Sequence, residues 1–557
     1  MKLNYWRTLK VGLAFAVIQV FWTAYDYVVP LLLENTFGLS NSMRGLIMGA
    51  DNLLSLFLLP IFGKISDKTN TKWGRRTPFI VLGTIASVII MIFVPITSNA
   101  QLDNSIELRE SIMATDVEGY TYTDHTGKVY DAEAIYTMLY NEGATNSDYC
   151  DRTYFDNFGG GEDKVGTLEE YLEIALNPKD AEGNYTTEYN SYVKSGLNSY
   201  ATDQVFEKIT KGNLTPLILY MVVLLLVLIA MATFRSPAVA LMPDVTPKPL
   251  RSQANAMINL AGGAGGAVAF LIYTITFMIN PYGYLAIFIA VACAMLILLA
   301  CYLVFVKEPV LFKECQDLCA EYGISNDEDD EPVDEEKEAQ IALEGNKGKK
   351  ARMISFLLIL ASIFMWFMGY NAISSNLSIY ITKTLGQSAG IGGIISGVSM
   401  GVSAVAFIPV GWLAVKIGRR KSIMLGFGMA LISYLLIFFF AATPSPSAVY
   451  LYCIFYLIAG FGLIIGNVNT FPMVVELSSN ATIGKYTGLY YTATMSAQAI
   501  TPFIAGLIMD KWGTKYLFLY SVICVLISIA LMFFVKHGDS KMVPPKSKLE
   551  LLGAADD

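Results

Sequence analysis

The chain has 557 residues, 54% of them hydrophobic and only 15% charged, with a formal net charge of −8. A soluble domain carries roughly 25% charged residues, so a wholly soluble protein of this length is excluded. The apolar residues gather into twelve runs, near 9–35, 42–63, 77–97, 215–242, 252–279, 282–306, 353–381, 389–416, 421–441, 448–475, 485–508 and 513–536. Runs of that length cross a hydrocarbon core of about 30 Å.

Span 1 follows Lys2, Arg7 and Lys10. It is too long for a signal-peptide core and has no small-residue cleavage pattern behind it, so it reads as a retained span. Within it, Gln19, Trp22, Thr23 and Asp26 fall at helical spacing on one polar-aromatic stripe, with Tyr25 adjacent and Pro30 a turn beyond. On span 2, Asp51 lies at a similar depth. An ionised aspartate in mid-span costs about 2.5–3.5 kcal/mol on insertion scales, so such groups face cavities, meet cations or carry a proton. Arg235 lies near the far end of span 4 and offers no obvious partner. The two histidines, His125 and His537, lie outside the spans, which leaves ion coupling to carboxylates: Asp26, with Asp51 as its rival.

Between spans 2 and 3 stand Lys64, Lys68, Lys72, Arg75 and Arg76; Arg251, Arg352, Arg419 and Arg420 fall in further alternate loops. The bias of Lys and Arg toward cytoplasmic loops makes this a multi-pass protein of the cell membrane with both termini cytoplasmic. It places residues 98–214 outside, an insert with 22 acidic and 8 basic residues. The insert is long enough for a small α+β fold. "YTYTDHTGKVYD" (120–131) predicts a hairpin, and "TLEEYLEIAL" (167–176) a helix opened by a Thr167–Glu170 capping box. Its 12 of the chain's 32 tyrosines read as its core, with contact to sugars or an unknown partner as the alternative. Cys150 is the insert's single cysteine, so no disulfide forms within it. Cys315 and Cys319 lack further metal ligands nearby, and neither a metal nor another cofactor is expected.

The predicted organisation is a bundle over 1–97 and 215–307, the insert at 98–214, an acidic connector at 308–350, a second bundle at 351–537 and a tail at 538–557. The bundles echo each other. "GKISDKTNTKWGRRTPFIVLG" from Gly63 matches "GWLAVKIGRRKSIMLG" from Gly411; "YD" at 25–26 matches "YN" at 370–371; "LMPDVT" matches "FPMVVELS". Gly45 and Gly49, then Gly393, Gly397 and Gly401, recur at the spacing that lets helices approach closely. Repeats around a central site are the architecture of alternating-access carriers. The predicted fold is therefore all-α: twelve membrane helices in two pseudo-symmetric six-helix bundles.

The pattern at 63–80, G-x-x-S-D-x₆-G-R-R-x-P-F-I, resembles the sucrose transporters of plants and their bacterial and animal relatives. These belong with the glycoside–pentoside–hexuronide:cation symporters of the major facilitator superfamily. "RSPAVALMPDVTPKPLRSQANA" (235–256) and "GKYTGLYYTATMSAQAITP" (484–502) are similar to bacterial members, so the likeness covers all twelve spans and leaves the insert aside. The resemblance implies a major facilitator fold and sugar symport. It stops at the melibiose-type sodium site, whose two aspartates are matched here by Ser55 and Leu59. A proton is the coupling ion this favours, with sodium still open.

Read on its residues, the loop motif is a gate. Asp67 faces Arg75 and Arg76 across a loop bounded by Gly63 and Gly74; Asp244 and Glu476 are pseudo-equivalent partners for cations that include Arg251 and Arg419, and Arg420 is a further gate candidate. For substrate, Asn255 and Asn259 on span 5, Tyr370 and Asn371 on span 7, Asn469 on span 10, and Tyr491 and Gln498 on span 11 join Gln19, Trp22 and Tyr25; Trp366 is a further aromatic candidate. Amides and hydroxyls bond sugar hydroxyls, and rings cover a sugar's C–H face. The expected function is proton-coupled uptake of a di- or small oligosaccharide by a monomer. Alternatives are export of a non-sugar amphipathic compound, or a transporter-shaped glycan sensor. No P-loop, nucleophile triad or nucleic-acid motif is present in the sequence, so neither an enzyme nor a nucleic-acid partner is expected.

Overall fold

In lipid every backbone polar group must be satisfied inside its own segment, so long apolar runs become helices. The structure, a computed structural model, describes residues 3–150, 152, 167–247, 250–322, 346–398, 417–442, 446–477 and 483–537. The membrane helices are α1 Leu13–Phe37, α2 Asn41–Lys68, α3 Thr77–Met113, α4 Thr215–Asp244, α5 Arg251–Ile279 and α6 Tyr284–Phe305 in the first half. The second half holds α7 Asn346–Ser375, α8 Ala389–Val398, α9 Arg419–Phe440, α10 Pro446–Glu476, α11 Ile483–Trp512 and α12 Leu517–Phe533. Eleven of these are long and apolar enough to cross a membrane. The remainder of the eighth run, with Gly401 and most of the second loop motif, lies outside the described residues, as do the acidic stretch 323–345 and the tail from 538.

In the first bundle α3 packs on α4, and α1 packs on α5 and α6; in the second, α9 packs on α10 and α12, and α7 on α11 and α12. Between the bundles the main joint is α2 against α11. One end of the molecule carries the insert and the other the Lys- and Arg-rich loops; they are called here the insert end and the basic end.

Two boundaries differ from the sequence reading. Span 3 does not stop at residue 97 but continues as helix to Met113. Its polar positions there are buried and bonded: Gln101 Nε2 donates to Thr36 O (3.0 Å), and Arg109 Nη2 donates to Glu34 O (3.0 Å). Packing on the end of α1 carries the helical period past the point where hydropathy fades. Span 7 breaks at Asn376 and resumes as Leu377–Lys383. The insert forms the hairpin β1 Tyr122–Thr123 and β2 Val129–Tyr130 and the helix Thr167–Leu176. Gly127 turns the hairpin at φ +86°, a backbone conformation that costs glycine little. Tyr136, Tyr171 and Tyr189 are among the buried tyrosines of the insert's core.

The α2–α11 joint sets the shape of the interior. A Cβ on Gly45 would lie 1.9 Å from Pro502 O, one on Gly49 2.2 Å from Ala499 O, and one on Gly506 2.3 Å from Asn41 O. At the insert end these helices therefore touch backbone to backbone. Gly63 and Gly488 lie 18 residues, five turns, from Gly45 and Gly506 on the same faces. There a Cβ on Gly63 would meet Ser236 Oγ of its own bundle at 3.0 Å, and none of the described residues lies within 4 Å of one on Gly488. Over about 27 Å the helices pass from contact to separation. Among the described residues, α2 and α11 are in backbone contact at the insert end and stand apart at the basic end.

Three further ties close the insert end. Asp510 accepts the first free N–H groups of α2, from Asn41 N (2.7 Å) and Ser42 N (2.8 Å). Lys383 Nζ pairs with the buried Glu34 carboxylate (3.2 Å), which also holds Arg44. Tyr27 Oη donates to Ala389 O at 2.6 Å. On α8, Gly393 and Gly397 seat Thr274 and Phe270 of α5 where a Cβ would stand.

Candidate functional site: a central carboxylate–guanidinium cavity and a basic-end ion cluster

Asp26 lies deep in the molecule, yet its side chain is open to solvent. It lines a cavity. Asp51 is buried beside it and accepts from Asn52 Nδ2 at 3.0 Å. Among the described residues no ion pair joins either acid to Arg235, but its guanidinium lies near enough for its charge to act on both. Its guanidinium sits over the Trp22 ring, 5.1 Å from the centroid. The position of Arg235 along α4 is misleading because a long side chain carries its charge well away from its Cα. With both acids ionised the trio sums to −1, and one added proton makes it neutral.

Gln19, Trp22 and Asn259 are partly exposed where α1 faces α5, and a Cβ on Gly262 would lie 3.1 Å from Gln19 Cγ. The Trp22 Nε1 and Asn259 Nδ2 donors are buried and have no acceptor among the described residues. From the other bundle Tyr370 comes within electrostatic reach of Asp26 and bonds the Ser374 hydroxyl. Asn255, Tyr491 and Gln498 are accessible. Tyr273 and Tyr456, which the sequence reading did not single out, lie beside this group, Tyr273 stacked on Tyr27 at 4.5 Å.

Other candidates are placed differently. Tyr25 is 1% exposed and stacked on Phe21, so it belongs to the packing behind the cavity. Trp366 is likewise buried and stacked on Phe427 at 4.1 Å. Asn371 Nδ2 donates to Phe367 O and Asn469 Nδ2 to Ile465 O, both at 2.8 Å, so each amide is turned back onto its own helix.

At the basic end Arg76 joins Asp67 (2.6 Å) and Asp244 (2.7 Å), and Arg75 joins Asp244 from the other side (2.8 Å). Arg419 pairs with Glu476 at 2.5 Å in the second bundle. Arg251 and Arg420 donate to helix-end carbonyls. Arg251 donates to Pro243 O (3.1 Å) and Thr246 O (3.4 Å), capping the end of α4, because Arg75 and Arg76 already occupy Asp244. Arg420 donates to Phe533 O at the end of α12.

The sequence reading missed Glu308, the first residue of the helix Glu308–Glu321. Its carboxylate accepts from Arg75 N (2.8 Å), Arg76 N (3.0 Å), Thr77 N (2.7 Å) and Thr77 Oγ1 (2.8 Å). Gly74, at φ +106°, makes room, since a Cβ there would lie 2.2 Å from the Glu308 carboxyl carbon. The glycine of the G-R-R motif thus admits the anion that caps α3. Cys315 and Cys319 face inward on the same helix. Glu308→Ala leaves three backbone donors without their acceptor. At about 1–3 kcal/mol for a buried unsatisfied group, it should lower the melting temperature in detergent, while Lys313→Ala on the same helix should not.

Comparison with known families bears on this geometry. The family profile described as "Major Facilitator Superfamily" matches residues 212–473 and 359–554, and that described as "MFS/sugar transport protein" matches 11–107. The chain belongs to the Major Facilitator Superfamily. It is a multi-pass membrane transporter. Among solved superfamily-like folds, a bacterial homologue of the human lysosomal transporter Spinster, in an inward-facing and occupied conformation, has a TM-score of 0.54 at 14% identity, covering 96% of this chain and 97% of that one. A D-xylose–proton symporter has a TM-score of 0.52 at 14% identity, covering 96% and 99%. A bacterial homologue of the iron transporter ferroportin, inward-facing, has 0.53 at 14%, covering 96% and 99%. At these identities the likeness is one of fold. Among curated proteins, none matches this member of the superfamily significantly.

Proposed function

We propose that this protein is a secondary active transporter that carries a glycoside, a di- or small oligosaccharide, into the cell together with one proton. The observation that carries the reading is Asp26, solvent-open in a central cavity with Asp51 and Arg235 beside it. A proton that comes and goes gives such an acid a coupling role. Arg235 favours the proton, because a fixed guanidinium repels a second cation, whereas a proton forms a bond with the carboxylate itself. The "MFS/sugar transport protein" match over the first three helices supports the sugar. The motif at 63–80 resembles that of the sucrose-transporter-like branch.

With the basic end in the cytoplasm, the splayed conformation is the inward-facing one of an alternating-access cycle. Asp67, Arg75, Arg76, Asp244, Arg419 and Glu476 are then gate residues whose pairings are redrawn when that end closes. Proteoliposomes holding the protein, given an inward proton gradient and a panel of radiolabelled disaccharides and trisaccharides, test this directly. At least one sugar should accumulate above its outside concentration, and a proton ionophore should abolish the accumulation. Uptake of no sugar by well-folded protein, or accumulation driven by sodium alone, overturns the proposal.

A further inference from the structure

We infer that the insert is a clamp: it rides on the first bundle and grips the second, holding the insert end shut. The inference extends to a segment for which the transport reading has no role. The insert is firmly seated on the first bundle. The Arg109 guanidinium donates to Glu34 O, Asn198 Oδ1 and Thr202 Oγ1, each at 3.0 Å, and Thr210 Oγ1 donates to Phe37 O at 2.8 Å. Gly38 ends α1 at φ +62°, and a Cβ there would lie 2.4 Å from Thr202 O. The insert and the end of α1 are therefore one body.

From that body the short segment around Asp148 reaches across to the second bundle. Asp148 accepts from Thr514 N (2.6 Å) and Thr514 Oγ1 (2.7 Å), and Ser147 Oγ donates to Trp512 O (2.9 Å). The fit is specific on both sides. Gly513 sits at φ +102°, where a Cβ would lie 2.0 Å from Ser147 Oγ. Behind the segment, the Tyr149 hydroxyl bonds the Asp203 carboxylate, and a Cβ on Gly196 would lie 1.8 Å from Tyr149 O. Thr514 opens the turn that leads into α12, so a carboxylate there meets unpaired N–H groups and the positive end of a helix dipole.

The grip matters because of what stands next to it. Asp510, two residues before Trp512, is the side chain that caps α2 across the bundle interface. One five-residue stretch, 510–514, is thus held from one side by α2 and from the other by the insert. Opening the insert end moves α11 away from α2, which drags this stretch with it and tears both sets of bonds. The clamp therefore adds its bonds to the free energy of the shut state and slows its opening.

Hydrogen–deuterium exchange on the full chain in nanodiscs tests the clamp without any substrate, so its outcome is separate from that of the sugar assay. Asp148→Ala should speed exchange at Thr514, which loses its acceptor, and also by about tenfold or more at Asn41 and Ser42, which Asp148 does not touch. Asp510→Ala gives the exchange rate of a freed α2 end for reference. Faster exchange confined to residues 512–516, with Asn41 and Ser42 unchanged, overturns the clamp and leaves only a local fastening. Should Asp148→Ala loosen the insert core itself, seen at Ile135 to Tyr140, Thr514→Val tests the same joint from the other bundle. The same two outcomes then decide.

Discussion

Asp26→Asn should turn a concentrating carrier into an exchanger. Under one unit of pH gradient, a carrier that moves one proton with each sugar can concentrate the sugar toward about tenfold, since a factor of ten corresponds to about 1.4 kcal/mol. Asparagine keeps the size and hydrogen-bonding shape of the side chain but holds no exchangeable proton and no charge. With Asp51 ionised, the trio of Asp26, Asp51 and Arg235 then sums to zero, as it does in the protonated wild type. The variant should accordingly cycle with sugar bound, supporting counterflow of labelled against unlabelled sugar, while its accumulation ratio falls to about one. Arg235→Gln should act in the opposite sense on the same quantity, leaving two uncompensated carboxylates and raising the proton requirement for binding. Accumulation and counterflow measured side by side distinguish coupling from binding. Unimpaired accumulation by Asp26→Asn would remove Asp26 from the coupling role and pass it to Asp51.

The parts of this site that were legible in the sequence share one physical property: their signal is local. A carboxylate in an apolar run, glycines every four residues and a hairpin flanked by tyrosines are each readable from a dozen residues. Twelve spans follow from apolar length alone, as does membership in a two-bundle fold once the repeated loop motifs are aligned. What was not legible depends on side-chain reach and on pairs distant in sequence. Arg235 is about two and a half turns from the end of α4, and its Cα position near that end hid it as a partner, whereas its guanidinium lies near enough for its charge to act on Asp26 and Asp51. Glu308 looks like the first acid of an acidic connector, and only the fold brings it to Gly74 and the start of α3. Tyr25 and Trp366 resemble cavity aromatics by type, but their faces are taken by Phe21 and Phe427. One signal was available for Glu308: the lone pairs of a carboxylate placed next to a helix-opening proline, Pro309, suggest a cap. Nothing in one sequence says which helix it caps.

The glycines of α2 and α11 should divide by end. Gly45→Val places atoms where Pro502 O stands 1.9 Å from the Cβ position, and backbone cannot retreat as a side chain can. Overpacking of this kind costs about 1–3 kcal/mol, all of it charged to the state in which the insert end is shut. The population ratio should therefore shift toward insert-end opening by about 5- to 150-fold. Gly488→Leu meets open space in the present conformation, with none of the described residues within 4 Å of its Cβ. It costs little here and obstructs only the state in which Gly63 and Gly488 approach, so it should trap the splayed conformation. Spin labels at Leu214 and Tyr450, both exposed and on opposite bundles at the insert end, read the balance as a distance distribution. Gly45→Val should broaden that distribution toward longer distances and Gly488→Leu should narrow it, while both variants lose transport. If the two substitutions moved the distribution in the same direction, the glycines would be packing residues of a single state, and the pivoting of α11 on α2 would have to be abandoned as the motion that opens and closes the two ends.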